Sequence, residues 1–281
     1  MRLASYILGG KPAFGIVTDM GVITLSDRLG GRCATLRDAL ADDDALDDMM
    51  KLAEGAEPDA GFDAIEYLPV ITNPNKIICV GLNYRAHAAE HGHAVDKPNI
   101  FTKFTDTLSA HEGEMWRPKA SQQFDFEGEL AVIIGKSGRA IKPENALKHI
   151  AGYTCYCDGS VRDFIKASLV TGKNFPSSSP LGPWMVTADE IPDPSKLTLT
   201  TRLNGVQMQH SGTDMMMYDV PMLLAYCSAF TELTPGDVIA TGTPEGIGAR
   251  RNPPVWMKAG DVLEVEISQI GTLRCRIVDE K

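Results

Sequence analysis

The stretch Phe124–Leu130, FDFEGEL, running on through AVIIG, limits the folds open to this chain more than any other. Its Phe, Val and Ile content predicts a strand. Strand side chains alternate faces, so Glu127 and Glu129 project from the same side. A second apolar run, Ile150–Cys157, leads into DGSVRD, and Asp158 there could close a three-carboxylate cluster across neighbouring strands. Three anions on an apolar sheet repel one another, and each is costly to desolvate. A hard divalent cation resolves the conflict, and an oxygen-only set favours magnesium, manganese or calcium over zinc. A solvated sheet face with Asp158 in a turn accommodates the same residues without an ion, and an isolated pair of alternating carboxylates suits that simpler account.

Composition narrows the partners. The formal net charge of −10 argues against nucleic acid, which asks for a basic stripe. No apolar run approaches the ~20 residues of a membrane helix. The opening MRLASYILGGKPAFG alternates like a strand and does not read as a signal peptide. Cysteines at 33, 79, 155, 157, 227 and 275 have no zinc-knuckle spacing, so reduced, buried thiols in a cytoplasmic protein are expected.

At 281 residues the chain can hold one large domain or two unequal ones. Residues 2–25 contain three β-like runs, ASYIL, FGIVTD and GVITLS, parted by Gly-rich turns. Two helical patterns follow, at Thr35–Ala41 with Thr35 as N-cap and at Asp44–Ala53. Gly, Pro and charge at 54–63 then end the periodicity, which predicts a small N-terminal α+β domain over residues 1–72. Beyond it, strands are expected at 76–81, 100–104, 127–134, 151–157, 197–203, 238–241, 262–267 and 272–277, with helices at 143–149 and 220–230. The fold class is therefore α+β and strand-rich, with residues 73–281 as the second and larger domain.

Three further features bear on chemistry. His87 and Glu90 lie three apart on a presumed short helix, where a carboxylate can orient an imidazole, although a solvent-facing pair has the same spacing. His87-Ala-Ala-Glu90-His91 also fits the H-x-x-E-H pattern of inverted zinc peptidases, but Gly92 ends the helix one residue later and leaves the motif without its context. TGTPEGIG at 241–248 lacks either nucleotide-binding glycine pattern. Its exposed N–H groups and the Thr243 hydroxyl could meet a small carboxylate, or the segment could be a tight turn.

Taken together, GLNYRAHAAE at 81–90, FEGELAVIIGK at 126–136, CDGSVRD at 157–163, GKNF with PLGPW at 172–184, and TGTPEGIG at 241–248 resemble the fumarylacetoacetate hydrolase family. The resemblance implies a mixed β-roll catalytic domain over 73–281, one Mg2+ or Mn2+ held by Glu127, Glu129 and Asp158, and a homodimer. It further implies a His87–Glu90 dyad on a lid spanning about Tyr84 to Lys97, Lys173 as a catalytic, substrate-holding lysine, and substrate contacts from Arg162 and Thr243. The chain departs from the family pattern with Cys157 for Asn, Gly159 for a larger residue, Ile165 for Gln and Pro176 for Asp; none of these removes a ligand. The activity implied is hydrolysis of the C–C bond of a β-diketo acid such as fumarylpyruvate or maleylpyruvate. In that reaction His87 activates water, Lys173 steadies the oxyanion, and pyruvate leaves as its enolate. Oxaloacetate decarboxylation or isomerisation of an oxo-acid would use the same residues. A cation that merely staples strands would have no use for His87 and Glu90.

Overall fold

The computed structural model describes residues 1–91 and 96–281, with only the backbone of His91. The expected helix break at Gly92 lies outside the described residues.

Two sheets carry the architecture. The larger runs in the order Val22–Thr24, Lys11–Val17, Arg2–Leu8, Ser179–Thr187, Ile150–Cys157, Gly128–Ile134, Val238–Ala240, Ile77–Gly81, Asn99–Lys103. Short strands Ile65–Tyr67 and Leu108–Ser109 pair off this path. The second sheet runs Val206–Gly212, Thr198–Leu203, Val262–Ile267, Gly271–Asp279, Glu114–Arg117. Most pairs are antiparallel; Val238–Ala240 lies parallel to Ile77–Gly81. This is the strand-rich α+β class that the patterning predicted.

The strand Gly128–Ile134 is buried along its whole length, and its alternation divides the core. Leu130, Val132 and Ile134 face a cluster shared with Leu199, Val265 and Leu273 of the second sheet and with Leu223 and Leu224 of the helix Val220–Phe230. Ala131 and Ile133 face the other cluster, with Leu3, Phe14, Leu36 and Met49 of the N-terminal segment. A strand covered on both faces needs apolar residues on both, which explains the unbroken apolar run at residues 130–134 that follows Glu129.

Residues 1–72 pack into this frame and form no sheet of their own. Arg2 and Leu3 pair with Val186 and Met185, so the first strand extends the larger sheet. The helix Leu36–Leu40 starts at Thr35 with a capping box closed by Asp38, and Asp42 caps Asp43–Ala53. The expected helix at Pro143–His149 is a 3-10 segment. Met216 is buried in the core, while its neighbour Met215 is exposed. All six cysteines are buried and unpaired. No helix among the described residues is long and apolar enough to cross a membrane.

Candidate metal centre and active site

Two adjacent strands assemble the acidic cluster. Gly128 is paired with Cys157 in the antiparallel register, so Glu127 and Asp158 sit side by side at the strand ends, and the Asp158 N–H donates to Glu127 O at 2.9 Å. Glu129 is the next inward position on the same face. Glu127, Glu129 and Asp158 each offer an oxygen within 4.8 Å of the others, and all three are buried. Alternation places Glu127 and Glu129 on one face, and the register of the adjacent strand brings Asp158 beside them. The simpler account, a solvated sheet face, does not fit side chains that are at most 6% exposed.

Cations surround the cluster. Lys173, the last residue of the helix Leu169–Lys173, places Nζ 2.7 Å from both Glu127 Oε2 and Asp158 Oδ2. Lys103, at the end of the strand Asn99–Lys103, donates to Asp158 Oδ1 at 2.7 Å and to Gly159 O at 3.1 Å. Arg162 is pinned between Asp125, at 2.7 Å from its Nε, and Glu127. These contacts set the ionisation. Burial pushes the Glu127 carboxyl up, but Lys173 and Arg162 outweigh it and hold the group well below the usual range. Burial, reinforced by the Asp158 and Glu127 charges, drives Glu129 well above it. Burial lowers the Lys173 ammonium, yet Asp158 and Glu127 dominate and hold it protonated.

Residues 241–249 form the wall behind the cluster. The Gly242 N–H donates to Glu129 Oε2 at 2.8 Å, and the N–H groups of Gly248 and Ala249 donate to Asp125 at 2.8 and 3.1 Å. Gly242 has φ +97°, and a Cβ there would sit 2.8 Å from Val80 O, so glycine is required. The backbone N–H groups expected at a small carboxylate are thus aimed at the protein's own. Thr243 lines the cavity, while its hydroxyl donates to Gly128 O at 2.8 Å.

His87 lies on the helix Arg85–His91, buried, with Nδ1 3.2 Å from Glu90 Oε2. It shares a cavity of about 260 Å³ with Glu127, Glu129, Arg162, Lys173 and Thr243. That volume suits a small acid. Phe101, Ile165 and Leu169 supply part of its apolar wall. The lid expected over Tyr84–Lys97 is described only as far as His91 and from Asp96 onward.

A family model for the fumarylacetoacetate (FAA) hydrolase C-terminal domain matches residues 76–278. The chain belongs to the fumarylacetoacetate hydrolase family. It is 44% identical to a mitochondrial oxaloacetate tautomerase of Xenopus laevis over 219 residues, covering 76% of this chain and 69% of the relative. A human mitochondrial oxaloacetate tautomerase is 41% identical, covering 76% and 70%. Among solved structures, maleylpyruvate hydrolase from Sphingobium sp. SYK-6, in complex with manganese(II) and pyruvate, superposes with a TM-score of 0.84 at 29% identity, each chain covered in full. A fumarylacetoacetate hydrolase from Exiguobacterium antarcticum gives 0.83 at 32%, again over both whole chains. The fold is thus of the fumarylacetoacetate hydrolase type.

Asp125, Lys103 and Gln209 are parts of this site that sequence reading did not single out. Asp125 shares the odd-numbered register of Glu127 and Glu129, and Lys103 that of Phe101, so alternation carried a signal for both. Gln209, which donates to Thr243 and accepts from Gly128, lies in a polar strand with no such signal.

Proposed function

We propose that the chain is a divalent-metal-dependent enzyme that interconverts the keto and enol forms of a 2-oxo acid, with oxaloacetate as the substrate. What carries this reading is the meeting of three buried carboxylates, Lys173 and the His87–Glu90 pair in one small cavity. The two relatives named above, oxaloacetate tautomerases at 44% and 41% identity, support the choice of reaction. An all-carboxylate donor set fits Mg2+ or Mn2+, held by Glu127, Glu129 and Asp158. Held there, such an ion would supply positive charge to offset the negative charge that develops on the substrate.

The chain's own residues do the rest. His87, with its Nδ1 side held by Glu90, takes a proton from C3 of the keto acid through its other ring nitrogen. The electron pair of the broken C–H bond forms the C2–C3 double bond, and the proton is delivered to the C2 oxygen. Lys173, kept charged by its carboxylate neighbours, stabilises the intervening oxyanion. Phe101, Ile165 and Leu169 keep water from the reacting carbon. No nucleophile is needed, which distinguishes this reaction from hydrolysis.

Hydrolysis of an acylpyruvate such as fumarylpyruvate or maleylpyruvate is the second reading, and the maleylpyruvate hydrolase superposition favours it. In that case His87 would deprotonate water, the hydroxide would add to the distal carbonyl, and the C–C bond would break with its electron pair leaving on C3 of pyruvate. The sequence alone put hydrolysis first; the 44% identity to a tautomerase puts enolisation ahead of it.

Paired assays on the manganese-loaded protein test the choice, following decay of the oxaloacetate enol and release of pyruvate from acylpyruvates, each with wild type and His87→Ala. The expected result is enol decay far above the buffer rate in wild type and a loss of ~10²–10⁴-fold in the variant. Acylpyruvate cleavage without enol turnover would transfer the assignment to hydrolysis. An undiminished His87→Ala rate on both substrates would remove the dyad from either mechanism.

A further inference from the structure

We propose that Gln209 is a positioning residue of the metal centre: its carboxamide fixes the peptide between Glu127 and Glu129 and so sets the spacing of two ligand carboxylates. The proposal rests on the metal-site reading above and extends it to the second sheet.

The need arises from where a strand ends. Val238–Ala240 pairs with Ala131–Ile133, and Thr241 N–H reaches Leu130 O; beyond that point no strand among the described residues pairs with Gly128–Ile134 on this side. The main-chain groups of Gly128 face the gap, and a buried N–H or C=O without a partner is costly. Gln209 and Thr243 fill the role of the missing strand. Gln209 Oε1 accepts from Gly128 N at 3.0 Å, and Thr243 Oγ1 donates to Gly128 O at 2.8 Å. The ring closes because Gln209 Nε2 donates to Thr243 Oγ1 and to Pro244 O, each at 2.8 Å. Both amide hydrogens and the carbonyl of Gln209 are therefore used, and the side chain is 2% exposed.

The placement is specific to the ligands. Gly128 is the single residue between Glu127 and Glu129, so rotation of its peptide moves one carboxylate against the other. Gln209 comes from Val206–Gly212, an edge strand of the second sheet, and Thr201 of the adjoining strand packs close against Gly128. A Cβ at Gly128 would stand 2.1 Å from Thr201 Oγ1, so glycine admits the second sheet to the back of the ligand strand. Residues that orient ligands in this way cost 10–100-fold in metal affinity or activity when removed from characterised sites.

The test reads metal binding without turnover. Mn2+ is titrated into EDTA-stripped wild type, Gln209→Met, Gln209→Asn and Met49→Ala, with free Mn2+ followed by electron paramagnetic resonance well below each melting temperature. Met49→Ala, in the core beneath the N-terminal segment, is the control for destabilisation alone. The expected result is a Kd weakened ~10–100-fold in Gln209→Met, an intermediate loss in Gln209→Asn, and an unchanged Kd in Met49→Ala. Should Gln209→Met not fold, Gln209→Asn decides, since it keeps the amide but draws it back from Gly128. A Kd within twofold of wild type in the folded Gln209 variant, or an equal loss in Met49→Ala, overturns the proposal and leaves the metal site intact. Absence of stoichiometric Mn2+ binding in wild type would instead overturn the metal reading, and this proposal with it.

Discussion

Replacing Lys103 with Met separates the two sources of positive charge in the site. Lys103 has a side chain with no exposed surface, and its ammonium reaches Asp158 Oδ1 at 2.7 Å. Methionine keeps the length and the apolar stem but leaves Asp158, itself fully buried, with Lys173 as its remaining cation. Removing one partner of a buried ion pair costs about 3–5 kcal/mol, and the surviving Lys173 contact argues for the lower end. For a chain of this size about 3 kcal/mol corresponds to a fall of about 6 °C in melting temperature. A bound divalent cation would replace the missing charge, so Mn2+ should raise the melting temperature more in the variant than in wild type. The assay is a pair of thermal melts, one in EDTA and one in excess Mn2+, for each protein. Melting in EDTA unchanged from wild type would refute the claim that Lys103 neutralises the cluster. An equal deficit in both conditions would refute the claim that an ion and Lys103 serve the same charge.

Two further outcomes follow from the same geometry. Glu127→Ala and Asp158→Ala should each lose bound metal and turnover together, measured by elemental analysis beside the enol assay; stoichiometric zinc held through His87 and His91 would instead revive the peptidase pattern. Burial holds the His111 imidazole down at about 4 against the opposing charge of Glu112, so the folded protein keeps it neutral while the unfolded chain protonates it near pH 6.5. Its contribution to stability is full above about pH 6.5 and is lost as pH falls toward 4, about 2 kcal/mol between pH 7.5 and pH 5. Urea unfolding at the two pH values should show that difference, and His111→Gln should shrink it.

The sequence made the ligand strand legible because period-two alternation is a local property. Glu127 and Glu129 could be placed on one face from spacing alone, and the apolar run before Asp158 put that residue at a strand end. Which strands would be neighbours was not local. Ser179–Thr187 became a central strand between Arg2–Leu8 and Ile150–Cys157, yet its Pro180, Gly182 and Pro183 read as turn residues. Its neighbours carry its pairing, as Arg2 opposite Val186 illustrates across most of the chain. The same limit applied to Val206–Gly212, where Gln207, Gln209 and His210 give no hydrophobic pattern; Gln209 has meaning only beside Gly128. Alternation did extend to Asp125, but a third carboxylate in the series gained significance only with Arg162 against it.

The charges themselves argue for an ion. Asp125, Glu127, Glu129 and Asp158 bring four buried carboxylates together, and Arg162, Lys103 and Lys173 bring three cations. Each of the three cations bonds to Asp125, Glu127 or Asp158. Glu129 takes its hydrogen bond from a neutral donor, Gly242 N–H. Glu129 is therefore the carboxyl left without a cation, and burial with its acidic neighbours raises it well above its ordinary value, which favours its neutral form until a cation takes the proton's place. A buried structural network gains nothing from an extra anion, since each uncompensated charge costs several kcal/mol. A site that accepts a divalent cation needs one. Glu129 lies within 4.8 Å of oxygens on both Glu127 and Asp158, where an ion would offset its charge and theirs at once.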